Sequence, residues 1–91
     1  MTVVDDRIIA DIVDEMKKLM FWVDILDTSR GADYIRIVTR QRGLSNTDIA
    51  VMRTIAGERG FYIIFHVIPF GDEFIKVIWK FSRSDLGILR V

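Results

Sequence analysis

Few side chains in this sequence offer a starting point for covalent chemistry. His66 is the only histidine and there is no cysteine, which excludes disulfides, zinc ribbons, iron–sulfur sites and cysteine nucleophiles. His66 stands inside the apolar run Phe61 to Phe70, with no serine at a nucleophile elbow to make a triad. A histidine so placed is expected to be a structural residue of a sheet rather than a catalyst. P-loop, GxGxxG and HExxH patterns are all missing, so neither a catalytic residue nor a metal or cofactor is expected. Asp24, Asp27 and Asp33 surround one expected chain reversal and Asp72-Glu73 another, but acids at turns are ordinary turn formers. A restriction-type nuclease wants an acid followed two residues later by lysine. Glu73 and Lys76 are three apart and point to opposite faces of a strand, which makes a small metal-dependent nuclease the least favoured function.

The cations are more informative. The formal net charge is zero, yet residues 1–29 are acidic in balance and residues 30–91 basic. Arg36, Arg40 and Arg42 follow closely on Tyr34, and Lys76 and Lys80 alternate with Phe74 and Ile78. Arginine and lysine neutralise phosphates while tyrosine stacks on bases, which is how sheet platforms hold single strands. Arg36, Arg40, Arg42, Tyr34, Tyr62, Lys76 and Lys80 are therefore the candidate nucleic-acid-binding residues. A zero total charge argues against a protein that coats nucleic acid and for a local basic face.

The elements that must carry these residues are legible from periodicity. Ile8, Ile9, Ile12, Val13, Met16, Leu19 and Met20 recur at helical spacing after Asp5-Asp6, predicting a first helix over about residues 5–20. From Phe21 the period becomes two. Phe21, Val23 and Ile25 face inward on one strand, and Ile35, Ile37 and Thr39 on the next, with residues 28–32 as a five-residue loop. Pairing Ile25 with Ile35 sets Asp24 opposite Arg36 and Leu26 opposite Tyr34. Ser45 with Asp48 three residues on opens a second helix, with Ile49, Met52, Ile55 and Ala56 on its inner side and Gly60 at its end. Residues 61–69 and 74–81 form a second hairpin. Parity there demands a three-residue loop or a bulge, with Gly71 at positive φ and His66 beside Lys76 or Ile78 on the outer side. The stretch 82–91 is ambiguous between a helical turn and a strand, and residues 2–4 are barely long enough for a leading strand.

The order is αββαββ, in one α+β domain over residues 1–91: a two-layer α/β sandwich with both helices on one face of an antiparallel sheet, and a ferredoxin-like relative if the leading strand forms. Two α-plus-hairpin halves appear as a pattern, although no internal repeat is visible as sequence. The order is similar to the half-domain of LAGLIDADG homing endonucleases, but the first helix ends Lys17-Lys18-Leu19-Met20 where those enzymes carry small residues and a terminal acid. The resemblance is one of element order. Arg42-Gly43-Leu44-Ser45 is loosely similar to ligand sensors of the ACT type.

With 51% hydrophobic residues in 91, a monomer has little interior in which to bury them. Self-association, as a homodimer or higher, is expected through Leu26, Val38, Ile64, Ile68 and Ile78 on the outer sheet face. The expected function is a non-enzymatic, self-associating binding module with a basic and aromatic face or rim for single-stranded or structured nucleic acid. A dimeric regulatory domain that binds a small ligand is the alternative. Asp5-Asp6 stand where a signal peptide would be basic, and no apolar run approaches about 20 residues, so a reducing, cytoplasmic setting and no membrane are expected. Asn46 and Gln41 are the only residues of their types, which is compatible with a thermophilic origin.

Overall fold

The computed structural model describes residues 4–83; the expectations for residues 1–3 and 84–91 lie outside them. Six elements follow in the expected order: α1 (Asp6–Leu19), β1 (Asp24–Arg30), β2 (Tyr34–Gln41), α2 (Asn46–Glu58), β3 (Tyr62–Phe70) and β4 (Phe74–Ser82). Local chemistry sets the helix ends. The Asp5 carboxylate accepts from the backbone N–H groups of Arg7 and Ile8, while Ser45 and Asp48 form a reciprocal capping box on α2. At the C-terminus of α2, Gly60 sits at φ +74. The Phe61 N–H returns to the Ala56 carbonyl and the Gly60 N–H to that of Gly57, which is a Schellman stop requiring the left-handed residue that glycine supplies.

The four strands form one antiparallel sheet in the order β1-β2-β4-β3. Both helices cover one face, where Ile12, Met16, Met52 and Ile55 meet Ile35, Ile37, Val77, Trp79 and Phe81 in the core. The buried polar residues Thr39, Gln41 and Asp48 share a single chain of hydrogen bonds. Trp79 Nε1 donates to Thr39 Oγ1 and Thr39 to Gln41 Oε1. Gln41 Nε2 then donates to Asp48 Oδ2, and Asp48 Oδ1 accepts from Trp22 Nε1 at 2.9 Å. Between the helices, Arg59 donates to Asp11 and Glu15 of α1.

The second hairpin has the expected form: Phe70 pairs with Phe74 across a three-residue loop, Gly71 is at φ +79, and His66 lies opposite Ile78. The first hairpin does not. Its strand starts at Asp24, and Phe21, expected inside, is 82% exposed in the preceding turn. Trp22 is absent from the outer face because its indole reaches Asp48. Leu19, expected in the inner stripe of α1, is also exposed. The strands run on to a three-residue loop, 31–33, and a bulge between Ile25 and Asp27 shifts the register by one more, so Asp24 pairs with Arg40 rather than Arg36, and Arg30 rather than Ile25 lies opposite Ile35. Leu26 is the extra residue and does not face Tyr34. The shift carries Arg30 to the helix side, where it donates to Asp6 and to the Val4 carbonyl. Unbroken alternation could not foresee that gain.

The fold also exposes a repeat. Superposing residue i on residue i+40 lays Tyr34-Ile35-Arg36-Ile37-Val38-Thr39-Arg40 on Phe74-Ile75-Lys76-Val77-Ile78-Trp79-Lys80, and Gly31 on Gly71. The caps Asp5 and Ser45 coincide, as do Phe21 and Phe61. Arg36 pairs with Lys80, Val38 with Ile78 and Arg40 with Lys76, so the same shift exchanges the first rung with the last. A pseudo-two-fold axis passes through the sheet at the Val38–Ile78 rung.

Candidate functional site

Among the described residues nothing covers the sheet face opposite the helices. Alternation in β2, β4 and β3 puts Tyr34, Arg36, Val38 and Arg40, then Phe74, Lys76, Ile78 and Lys80, then Tyr62, Ile64, His66 and Ile68 on that face. Six of the proposed contact residues thus share one surface. Arg42, the seventh, follows the end of β2, with its guanidinium 5.7 Å from the Phe74 ring centre.

Two rungs of this face oppose like charges, Arg36 with Lys80 and Arg40 with Lys76, on either side of the apolar rung Val38–Ile78. Like charges directly opposite are destabilising. Only Arg40 is relieved: its guanidinium lies 2.7 Å from the Asp24 carboxylate. Among the described residues Arg36, Lys76 and Lys80 have no ion-pair partner. The lysines rest instead on rings, Lys80 at 5.2 Å from the Tyr34 centre and Lys76 at 4.5 Å from that of Phe70. Such an exposed contact is worth about 0.5–1 kcal/mol, less than the roughly 1–3 kcal/mol of a base stacked on an aromatic ring.

The pseudo-two-fold axis turns this face into two half-sites. One is a concavity of about 370 Å³ framed by Tyr34, Arg36, His66, Ile78 and Lys80. Its counterpart about the axis consists of Phe74, Lys76, Val38 and Arg40, with Asp27 opposite Val38 as His66 is opposite Ile78, because the bulge at Leu26 offsets β1 by one residue. The cation–ring contacts obey the symmetry: Lys80 over Tyr34 at 5.2 Å matches Arg40 over Phe74 at 5.0 Å. Charge does not obey it. Asp24 neutralises Arg40, whereas Ile64 occupies the corresponding place opposite Lys80.

Sequence reading missed Gly31 as a part of this site. A Cβ built on Gly31 would lie 2.1 Å from the Tyr34 ring, so that the bare backbone is what lets the ring occupy its place. The available signal was the recurrence of Gly31 at Gly71. Of the expected interface residues, Val38, Ile64 and Ile78 are only half-exposed at the centre of the face. Ile68 is exposed on β3, and Leu26 lies at the opposite edge of the sheet. No group of three or more potential metal ligands occurs among the described residues, and no helix there is long and apolar enough to cross a membrane. Comparison of the chain with family models, with curated proteins and with solved structures returns no match.

Proposed function

We propose that the protein is a non-enzymatic module that binds single-stranded nucleic acid across the outer face of its sheet. The observation that carries this reading is the pair of opposed cationic rungs on a face that no described residue covers, flanked at one end by Tyr34 and Tyr62 and at the other by Phe70 and Phe74. Repulsion within the rungs lowers folding stability, and a phosphate lying between two cations relieves it. The aromatic side chains offer stacking surfaces in the same plane. Titration of a labelled oligothymidylate at two salt concentrations tests the reading. Binding should weaken steeply with salt, and Arg36→Gln with Lys80→Gln, which frees the one phosphate between them, should flatten the logarithmic slope by roughly 0.7 units on a single strand. A slope unchanged in the double variant would reduce these cations to solubilising groups.

Self-association is a second reading, favoured by the edge strand β3, where Val67 is 47% and Ile68 43% exposed. Light scattering at micromolar concentration should then give at least a dimer, and Ile68→Lys should return it to a monomer. A monomeric wild-type mass would remove this reading and leave the first intact.

A further inference from the structure

We propose that the concavity framed by Tyr34, Arg36, His66, Ile78 and Lys80 is a single-nucleotide site, with one phosphate bridging Arg36 and Lys80 and the attached base against Tyr34. The inference deepens the nucleic-acid reading above and rests on it for the source of the nucleotide.

Charge and reach come first. Arg36 and Lys80 stand directly opposite each other on neighbouring strands, so their stems leave the sheet about 5 Å apart and one phosphate can accept from both. The nearest acid along the ladder, Asp27, is opposite Val38 and forms no ion pair with Arg36. Next is shape. A volume of about 370 Å³ lies near the lower end of small-molecule sites, about 300–1,000 Å³, which suits one nucleotide and not a duplex. Ile78 supplies an apolar floor, Tyr34 a ring held in place over Gly31, and His66 a polar edge for the base or its phosphate.

The molecule supplies its own control. The counterpart half-site differs from it: the bulge puts Asp27 opposite Val38 where the open site has His66 opposite Ile78, Phe74 stands where it has Tyr34, and Asp24 occupies the guanidinium of Arg40. The fold therefore provides two related frames, and the acids Asp24 and Asp27 of the bulged strand β1 close one to an anion while the other stays open. A uniformly basic face would treat the two alike.

The test uses the whole chain, a labelled oligothymidylate of about eight nucleotides, and thymidine 5′-monophosphate, thymidine and inorganic phosphate as competitors. Arg36→Gln, Lys80→Gln and Tyr34→Leu should each weaken oligonucleotide binding roughly tenfold, and Lys76→Gln less than about threefold. Gly31→Ala, which changes no charge, should match Tyr34→Leu because the new methyl group evicts the ring. Thermal melts of each variant confirm that it is folded. The monophosphate should compete and shift the NMR signals of the Tyr34 and His66 rings, with thymidine and phosphate each much weaker. Equal losses for Arg36→Gln and Lys76→Gln, or competition by phosphate as strong as by the nucleotide, would overturn the single site while leaving the nucleic-acid reading standing. If the oligonucleotide fails to bind but the monophosphate still shifts both rings, the site stands, a free nucleotide is its ligand, and the reading above falls.

Discussion

The two faces of β2 and β4 are built from alternate residues of the same strands, and they treat polar groups in opposite ways. On the helix side Thr39, Gln41 and Trp79 are buried, and each passes its hydrogen bond to the next until the chain ends on Asp48 and Trp22. On the outer side Arg36, Lys76 and Lys80 have no carboxylate partner among the described residues, and each of them opposes another cation. The comparison separates residues that hold the fold from residues that the fold holds for something else. A buried polar group without a partner costs the full price of its desolvation, so the inner set is closed. An exposed cation costs little, so the outer set can stay open.

The largest effects are expected on the inner side. Asp48 is 3% exposed and accepts from Trp22, Gln41 and Ser45. Asp48→Ala should therefore lower the unfolding free energy by about 2–4 kcal/mol in a urea titration, with oligonucleotide affinity unchanged. Thr39→Val strands the Trp79 N–H and should cost about 1–3 kcal/mol. A small loss in both variants would mean that the inner chain of bonds is ornamental, and the contrast between the faces would fail.

Arg59→Ala should come next, at about 1.5–3 kcal/mol, because it unties α1 from α2. Partial burial opposes the Arg59 charge, but hydrogen bonds and attraction from Asp11 and Glu15 outweigh it and hold the guanidinium above its ordinary value. A raised value means that its contribution is fully present below the unfolded-state value and is lost only as pH rises through the folded one, in strong alkali. The difference between wild type and Arg59→Ala should accordingly be flat from about pH 6 to about pH 10; a steady decline over that interval would contradict this account of the pair.

Smaller effects belong to the outer face. Arg40→Ala removes the pair with Asp24, at 2.7 Å, and should cost about 0.2–1 kcal/mol. Lys80→Gln relieves a like-charged rung and should change stability by less than about 0.5 kcal/mol, in the stabilising direction. If Lys80→Gln destabilises more than Arg40→Ala, the lysine is structural and the face is not the open one described above.

Sequence reading reached the element order, the helix ends and the second hairpin because each depends on chemistry within a few residues: Asp5, Ser45 with Asp48, Gly60 and Gly71. It lost the first hairpin because the strand runs on through residues 28–30 to a three-residue loop, and because the bulge at Leu26 answers to distant partners, Asp6 for Arg30 and Arg40 for Asp24. The repeat escaped for another reason. Ile9, Ala10, Phe21, Gly31 and Ile35 recur unchanged 40 residues later, but elsewhere the match is of kind, Tyr34 with Phe74 or Arg36 with Lys76. Only the pairing of β2 with β4 makes such likenesses meaningful. Alternation alone brought the site's cations and tyrosines to one surface. Its asymmetry, which depends on which frame Asp24 closes, was hidden with the register.

The bulge in β1 has a consequence for chain length. Removing Leu26 would leave Ile25 with Thr39 and Asp27 with Val38, so every remaining partner is kept and the ladder simply closes up. This edge can therefore lose a residue at little thermodynamic cost, an uncommon property inside a strand. What it would lose is its irregularity. An unbroken, straighter β1 offers its free N–H and C=O groups as a template for other chains. A variant lacking Leu26 should melt like the wild type in dilute solution and precipitate sooner when concentrated.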